Sequence, residues 1–509
     1  MIFNSFEFVT MFLPLAFAGF LLADRVGGRE TLPTYVAAVS LIFYAQFSYL
    51  LAAILAGSIV LNYLAGLFIL RAREDGQSGP MLLAAIVANL GALGYFKYAN
   101  FMISIANDLA SAGLPHADII LPIGISFYTF VQIGYLLDCH GGQVEGRPTL
   151  ARYAVFASFF PAVTAGPLVL QREMFSQMDR WTALEPRRIG VGLAVFAAGL
   201  FKKVVLADAI APFANAAFDG VAAGEAITTT AAWVGSLAYT LQLYFDFSGY
   251  SDMAIGLGLI FGLRLPLNFN SPFKATSIAE FWRRWHMTMT RFFTTYLYTP
   301  MAMNGMRKIM GRQREGGATA GRLERFLRTA GAPVLLTFVL AGIWHGAGWT
   351  FVVYGLIHGV ALAVNHAWRE FRMPAVSRVT GWVLTMSVVV SGLVVFRAPD
   401  LATAATFWTQ MWTFGALDAM SLVPVETVAV DTISGWAFIV VLGAVVLLMP
   451  NTHELTGSDR ITCDETEATT LPKPMRWAPS LRWSAVTAVI LVIGIGKLGA
   501  DASFLYYQF

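Results

Sequence analysis

The chain has 509 residues, of which 57% are hydrophobic and only 13% charged, whereas a typical soluble domain carries about 25% charged residues. A bilayer can accommodate that much apolar surface and a soluble core cannot, so the composition excludes an ordinary soluble enzyme. The formal net charge of +3 gives no reason to expect a nucleic-acid partner. The two cysteines, Cys139 and Cys463, stand in unrelated contexts and predict neither a disulfide framework nor a metal site.

Apolar stretches of roughly the 20 residues that cross a bilayer recur along almost the whole chain. Residues 6–24 predict a retained first helix and not a signal peptide, because residues 1–8 contain Glu7 and no Lys or Arg. The further candidate spans are 33–53, 55–70, 81–103, 119–137, 153–170, 190–212, 230–247, 251–263, 333–353, 355–368, 380–396, 434–450 and 484–499. Some are short or interrupted by Gly and Pro, so we expect an all-α polytopic protein of roughly 11–13 transmembrane helices plus re-entrant or short helices. Residues 1–509 are expected to form one integral membrane domain.

Lys and Arg in short loops predict the orientation of the chain in the membrane. The basic segments 305–330 and 451–483 are expected to be cytoplasmic loops, and residues 369–378 lie on the same side. The stretch 400–432 has acidic residues and no Lys or Arg, so it is predicted to be an extracytoplasmic loop. Residues 333–368, with basic flanks at both ends, would then enter and leave from the cytoplasm as a tight helical hairpin or a re-entrant pair.

The first candidate site is the segment Gly342-Ile343-Trp344-His345-Gly346. His345 lies 12 residues after Pro333, or about 18 Å along a helix, which predicts a position deep in the membrane. Ionisable residues at that depth are costly and point to function. Burial favours the neutral ring, which can accept a proton. The alternative is a core histidine that hydrogen-bonds between helices.

The second candidate is Glu280-Phe281-Trp282-Arg283-Arg284-Trp285-His286. Its arginines and tryptophans are typical of a membrane interface, where long cationic side chains reach toward the headgroups. A basic mouth would also attract a donor that carries phosphate.

The third candidate is the run from Tyr244 to Ala254, which contains Asp246, Ser248, Tyr250 and Asp252. These polar side chains could line a passage. They could equally cap helix ends near Gly249, and we expect a structural role for at least one aspartate. Among the other histidines, His358 is expected to pack, and His116, His140, His366 and His453 to lie in loops or at interfaces. No Cys/His cluster predicts a metal.

In this order the motifs resemble the membrane-bound O-acyltransferase family, and within it the bacterial branch that O-acetylates alginate, more distantly the branch that transfers D-alanyl groups. The matching segments include 121–128, 201–203, 268–273, 281–286 and 342–346, and they extend over most of the chain. The resemblance implies a helical bundle around a tunnel, with His345 as the catalytic histidine and His286 as the second polar residue of the site. The residues expected to line the tunnel or contact substrate are Trp344, Asp246, Ser248, Tyr250, Asp252, Arg283, Arg284 and Asn270.

The resemblance also implies the chemistry and the partners. We expect O-acetylation of an extracytoplasmic polysaccharide, alginate or similar, with acetyl-CoA as donor, no bound cofactor, and a location in the bacterial inner membrane. A periplasmic or membrane-anchored SGNH-type acetyltransferase is the expected protein partner. Three alternatives remain open from the residues alone: transfer of D-alanyl or another acyl group from a carrier protein, a transporter or channel without chemistry, and a scaffold for a partner enzyme.

Overall fold

The structure is a computed structural model, and it describes residues 2–316, 319–412, 431–458, 471–472, 475–499 and 504–505. Every element of regular secondary structure in these ranges is a helix, which confirms the predicted all-α fold class. In chain order they are α1 Leu13–Gly27, α2 Leu32–Ala45, α3 Tyr49–Glu74, α4 Ser78–Leu93, α5 Ala99–Ala110, α6 Ile125–Gly141, α7 Leu150–Ser158, α8 Gln171–Met178, α9 Pro186–Phe201, α10 Asp208–Ala222, α11 Thr229–Ile260, α12 Ile278–Trp282, α13 Met287–Phe293, α14 Thr299–Arg314, α15 Arg322–Phe326, α16 Ala332–His345, α17 Trp349–Glu370, α18 Arg378–Arg397, α19 Leu401–Trp412, α20 Thr432–Leu448, α21 Thr452–Thr456 and α22 Leu481–Gly496. Five π-helical turns join or precede some of these helices, at Phe8–Phe12, Gly94–Tyr98, Lys202–Ala207, Thr294–Tyr298 and Leu327–Gly331.

Seven helical segments within the described residues are long and apolar enough to cross a membrane, and three shorter apolar helices accompany them. The seven are Phe8–Gly27, Tyr49–Glu74, Ser78–Ala110, Pro186–Ala222, Arg322–His345, Trp349–Glu370 and Arg378–Arg397. The chain is therefore a multi-pass membrane protein, as its composition predicted. The finer prediction of 11–13 crossings and the assignment of loops to the two faces stay predictions.

Several predicted boundaries are wrong. The spans 33–53 and 55–70 become α2 and α3, because Ser48 caps the start of α3 with its side chain. The span 153–170 is helical only as far as Ser158. Residues 305–330 were expected to be a loop, but most of their described part is helical, in α14, α15 and the turn Leu327–Gly331. The predicted loop 400–432 begins with helix α19, and its residues 413–430 lie outside the described ranges. Residues 459–470 and 473–474 of the predicted loop 451–483 also lie outside them.

The largest correction concerns Gly249, where we expected helix ends. Instead α11 runs without interruption for 32 residues from Thr229 to Ile260. Glycine there serves packing: a Cβ at Gly249 would stand 2.7 Å from the carbonyl oxygen of Gly199 on α9. Gly192 on α9 and Gly256 on α11 form a second contact of this kind, in which a Cβ at Gly192 would stand 2.7 Å from the carbonyl oxygen of Gly256. Small residues on facing sides thus let two helices approach with their backbones in contact.

The described residues divide into two compact units. Unit 1 comprises the described parts of Met1–Val205, Phe247–Asn268 and Thr452–Gln508, and unit 2 those of Leu206–Asp246 and Phe269–Asn451. The prediction of a single membrane domain stays a prediction. Unit 1 has an aromatic core in which Phe3, Phe8, Phe43 and Phe160 pack around one another.

Unit 2 is built on the hairpin of α16 and α17. The chain is extended at Gly346 and Gly348, so α16 ends at His345 and α17 begins at Trp349. The predicted span 333–353 is therefore wrong at its C-terminal end, because the helix stops at His345. The predicted helical hairpin is confirmed. The two helices approach closely, since a Cβ at Gly342 would lie 2.9 Å from the Cα atom of Gly355.

This contact gives a first testable prediction. Gly355→Ala should lower the free energy of unfolding by about 1–3 kcal/mol, the usual range for overpacking, because the new methyl group would overlap the backbone carbonyl of Phe338 on α16. Gly443→Ala is the matched control, since Gly443 lies within α20 and a Cβ there would meet no atom within 4 Å. Thermal unfolding of both variants in one detergent measures the difference. Equal stability of the two would show that the helices do not need glycine at this contact.

Candidate functional site

The site is centred on two histidines of unit 2 that are 59 positions apart in the sequence. The ring centroids of His286 and His345 are 6.4 Å apart. The Trp344 ring lies beside both, at 4.9 Å from His345 and 6.1 Å from His286. The structure thus brings together the two predicted catalytic residues and one of the predicted lining residues.

His345 is the last residue of α16, at the turn of the hairpin. Its ring packs edge-on against Phe396 of α18, at 5.2 Å, and lies 6.0 Å from the ring of Tyr354 on α17. The residue keeps 8% of its surface exposed, whereas His286 has none. Because a general base must reach the proton that it removes, His345 is the better placed of the two to meet a substrate.

His286 is held in an unusual backbone conformation. It precedes α13 with φ 43° and ψ 52°, in the left-handed region that non-glycine residues rarely adopt. Such conformations cost about 1–3 kcal/mol and cluster at functional sites. The neighbouring Trp285 fixes the turn by stacking on Phe281 with centroids 5.5 Å apart. The strained turn therefore directs His286 into the buried interior.

A third histidine, His358, is linked to His345 through the ring of Tyr354, which contacts both. The Tyr354 ring is 4.6 Å from His358, one turn further along α17, and His358 also packs against Trp282 at 5.1 Å. His358 is buried, and neither of its ring nitrogens has a hydrogen-bond partner among the described residues. A Cβ at Gly392 of α18 would come within 2.5 Å of the His358 Nε2 atom. This confirms the expectation that His358 packs between helices.

The two tryptophans of the segment Glu280–His286 are not placed as the sequence predicted. Trp282 and Trp285 are both buried, so the prediction that they belong to a membrane interface is wrong for these two side chains. Arg283 is exposed. Arg284 forms an ion pair with Glu280, one turn before it, at 2.9 Å.

Asn270 and Arg284 serve the packing of this region. The backbone N–H of Asn270 donates to the carbonyl oxygen of Arg284 at 2.9 Å, and the side chain of Asn451 donates to the Asn270 side-chain oxygen at 3.1 Å. The pKa of Glu280 is lowered: its partial burial alone would raise it, but hydrogen bonds from Thr276 and the charge of Arg284 more than offset that effect. These contacts anchor the chain that leads to His286. A role of Asn270 or Arg284 toward substrate stays a prediction.

The predicted residues on α11 divide between the units. Asp246 is buried in unit 2, whereas Ser248, Tyr250 and Asp252 are buried in unit 1. The Tyr250 hydroxyl shares a short hydrogen bond with the hydroxyl of Thr164, and its ring meets Phe504 edge-on at 4.6 Å.

Asp252 is the centre of a buried charged cluster that the sequence did not reveal. One carboxylate oxygen pairs with the Lys202 ammonium at 2.7 Å, and the other lies 3.0 Å from His453 Nε2. His453 Nδ1 in turn lies 2.8 Å from the Ser458 hydroxyl. His453 was expected in a loop or at an interface, and that prediction is wrong because it is buried within α21. The contacts of Asp252 agree with the structural role expected of at least one aspartate.

The sequence matches two family descriptions. Residues 120–312 match "MBOAT, membrane-bound O-acyltransferase family" and residues 265–370 match "Membrane bound O-acyl transferase family". The first match contains His286 and the second contains both histidines of the site. The probable alginate O-acetylase AlgI of Azotobacter vinelandii is 34% identical, with 100% of each chain aligned.

Two other relatives differ in the acceptor or the acyl group that their names state. The peptidoglycan O-acetyltransferase of Helicobacter pylori is 37% identical over 79% of this chain and 78% of its own length. The teichoic acid D-alanyltransferase of Bacillus subtilis is 26% identical over 57% of this chain and 69% of its own. The sequence is therefore more similar to the O-acetylating relatives than to the D-alanylating one.

Proposed function

Because the chain belongs to the membrane-bound O-acyltransferase family, we propose that this acyltransferase moves an acetyl group from acetyl-CoA to a hydroxyl group of a polysaccharide outside the cytoplasm. The observation that carries the proposal is the pair of histidines 6.4 Å apart, with the more exposed one at the end of a helix. Relatives named for acetylation of alginate and of peptidoglycan support the acetyl group and the class of acceptor. The inner membrane is the proposed location.

In the proposed reaction a ring nitrogen of His345 takes the proton of the acceptor hydroxyl. The hydroxyl oxygen then attacks the thioester carbonyl carbon, forming a C–O bond, and the C–S bond breaks. The leaving thiolate takes the proton from the imidazolium, which restores neutral His345. Acyl transfer also needs stabilisation of the oxyanion, and we assign to His286 the orientation of the thioester or stabilisation of this charge.

Alginate-type polymers are the favoured acceptor, because the alginate-acetylating relative aligns over the full length of both chains. A periplasmic or membrane-anchored SGNH-type enzyme is the proposed partner. With this partner present, its hydroxyl group would be the acceptor in the step at His345, and the partner would then pass the acetyl group to the polysaccharide. Transfer of D-alanyl from a carrier protein is the competing function, supported by the more distant relative.

The experiment offers the purified protein, in lipid nanodiscs, two donors in parallel: acetyl-CoA and a D-alanyl carrier protein. Alginate and peptidoglycan fragments serve as acceptors, with and without the co-expressed partner, and mass spectrometry detects the modified sugar. We expect thiol release and O-acetyl sugars from acetyl-CoA only. Turnover that requires the acylated carrier would contradict the proposed donor, and acetylation of peptidoglycan alone would contradict the favoured acceptor.

A further inference from the structure

A cavity of about 680 Å³ lies in unit 2, away from the histidine pair, between α17, α18 and the segment 276–278. Cavities of a few hundred to about 1,000 Å³ hold molecules of ligand size. Its walls are mostly apolar and come from one face of each helix, with Ala361, Val364 and Trp368 on α17 and Leu384 and Val388 on α18.

The side walls include large apolar residues that the protein leaves uncovered. Val364 on α17 and Leu384 on α18 are exposed, at 55% and 58% of their surface. In a chain that spans a membrane, such side chains face acyl chains, so the cavity opens toward lipid along part of its length.

One end of the cavity is positively charged. Arg369 and Arg372 line it, and neither guanidinium has an ion-pair or hydrogen-bond partner among the described residues. The nearest acidic residue in sequence, Glu370, is engaged elsewhere, by Arg325 at 3.0 Å and Arg322 at 3.7 Å. Arg372 also has a left-handed backbone, with φ 53°.

Two further polar features accompany the arginines. The Trp368 indole donates to the carbonyl oxygen of Pro374 at 2.7 Å, which fixes the ring at the charged end. Asn365 lines the same wall, and its buried side-chain oxygen has no hydrogen-bond partner among the described residues. Tryptophan beside unpaired arginine is the pattern found at the level of lipid headgroups.

We propose that this cavity binds an anionic phospholipid, with an acyl chain along the apolar walls and the phosphate at Arg369 and Arg372. Unpaired arginines at the charged end supply the complementary charge, and basic pockets between membrane helices bind such headgroups. The planar guanidinium matches phosphate with paired hydrogen bonds. Residues 369–378 are predicted to be cytoplasmic, so the lipid would come from the cytoplasmic leaflet.

The test measures phosphatidylglycerol bound to the purified full chain by native mass spectrometry, and the thermal shift that phosphatidylglycerol causes against phosphatidylcholine. We expect Arg369→Gln combined with Arg372→Gln to lower bound phosphatidylglycerol at least fivefold and to abolish the shift. Arg307→Gln is the matched control, since Arg307 is exposed on α14 and is not among the residues lining the cavity. Ala361→Phe keeps both arginines and fills the apolar part, so it should lose the lipid as well.

Soluble ligands separate the possible sources of phosphate. Inorganic phosphate and glycerol 3-phosphate should give no shift at the same concentration, because they lack the acyl chain. A shift with coenzyme A that is lost in the double arginine variant would overturn the proposal in favour of a nucleotide site. Unchanged phosphatidylglycerol in either the double variant or Ala361→Phe would overturn it outright.

Discussion

His345→Ala should lose acetyl transfer almost completely while the protein still inserts and folds. A general base typically contributes about 10²–10⁴-fold to the rate, and alanine supplies no group that accepts a proton. The side chain stands at the end of α16 and keeps some exposure, so its removal leaves the hairpin contact of Gly342 and Gly355 in place. The measurement is O-acetyl content of envelope polysaccharide by mass spectrometry, at matched membrane abundance.

The control is His366→Ala, which makes the same change on α17 of the same hairpin at a position outside the site. It should acetylate normally. Full acetylation with His345→Ala would contradict the assignment of the base. A second comparison uses His345→Gln, which keeps the size and hydrogen-bonding capacity but not the basicity: it should be as inactive as alanine, whereas a merely structural role would be rescued.

The fold class follows from composition, and the sequence also predicted the hairpin. Basic residues on both sides of 333–368 predict that both ends lie on one face, and Gly346 and Gly348 are where the extended backbone turns the chain. The boundaries inside long apolar runs were less predictable. A glycine in an apolar run is compatible both with the end of a helix and with a close contact between two helices. At Gly249 only the position of Gly199 on α9, which the sequence does not give, shows that the second case holds.

The sequence predicted which residues belong to the site, but it did not predict how they are arranged in space. Membrane depth and composition made the segments of His345 and His286 candidates, but resemblance alone joined the two histidines in one site, because no local pattern links residues 59 positions apart. The left-handed backbone at His286 also left no signal, since few non-glycine residues adopt it and the residue type alone does not mark the position. By contrast, the polar residues on α11 looked like one passage in the sequence, but Asp252 is held by residues that are 50 and 201 positions away.

The second large effect is expected at Asp252. Asp252→Asn should destabilise the protein by about 3–5 kcal/mol, the usual cost of leaving one partner of a buried ion pair without the other. The side chains of Asp252, Lys202 and His453 are only 3%, 15% and 5% exposed, so water can solvate the ammonium left without its partner only in part.

A surface ion pair of nearly the same length isolates the effect of burial. Arg152 and Asp179 are 2.8 Å apart, with side chains 34% and 63% exposed, and such pairs contribute about 0–1 kcal/mol. Asp179→Asn should therefore shift thermal unfolding little. Combining Asp252→Asn with Lys202→Met removes the cation as well, and stability should return in part, since no charge is then left without its partner. If the double variant is no more stable than Asp252→Asn, the loss comes from the contact between Asp252 and His453 and not from the stranded charge of Lys202.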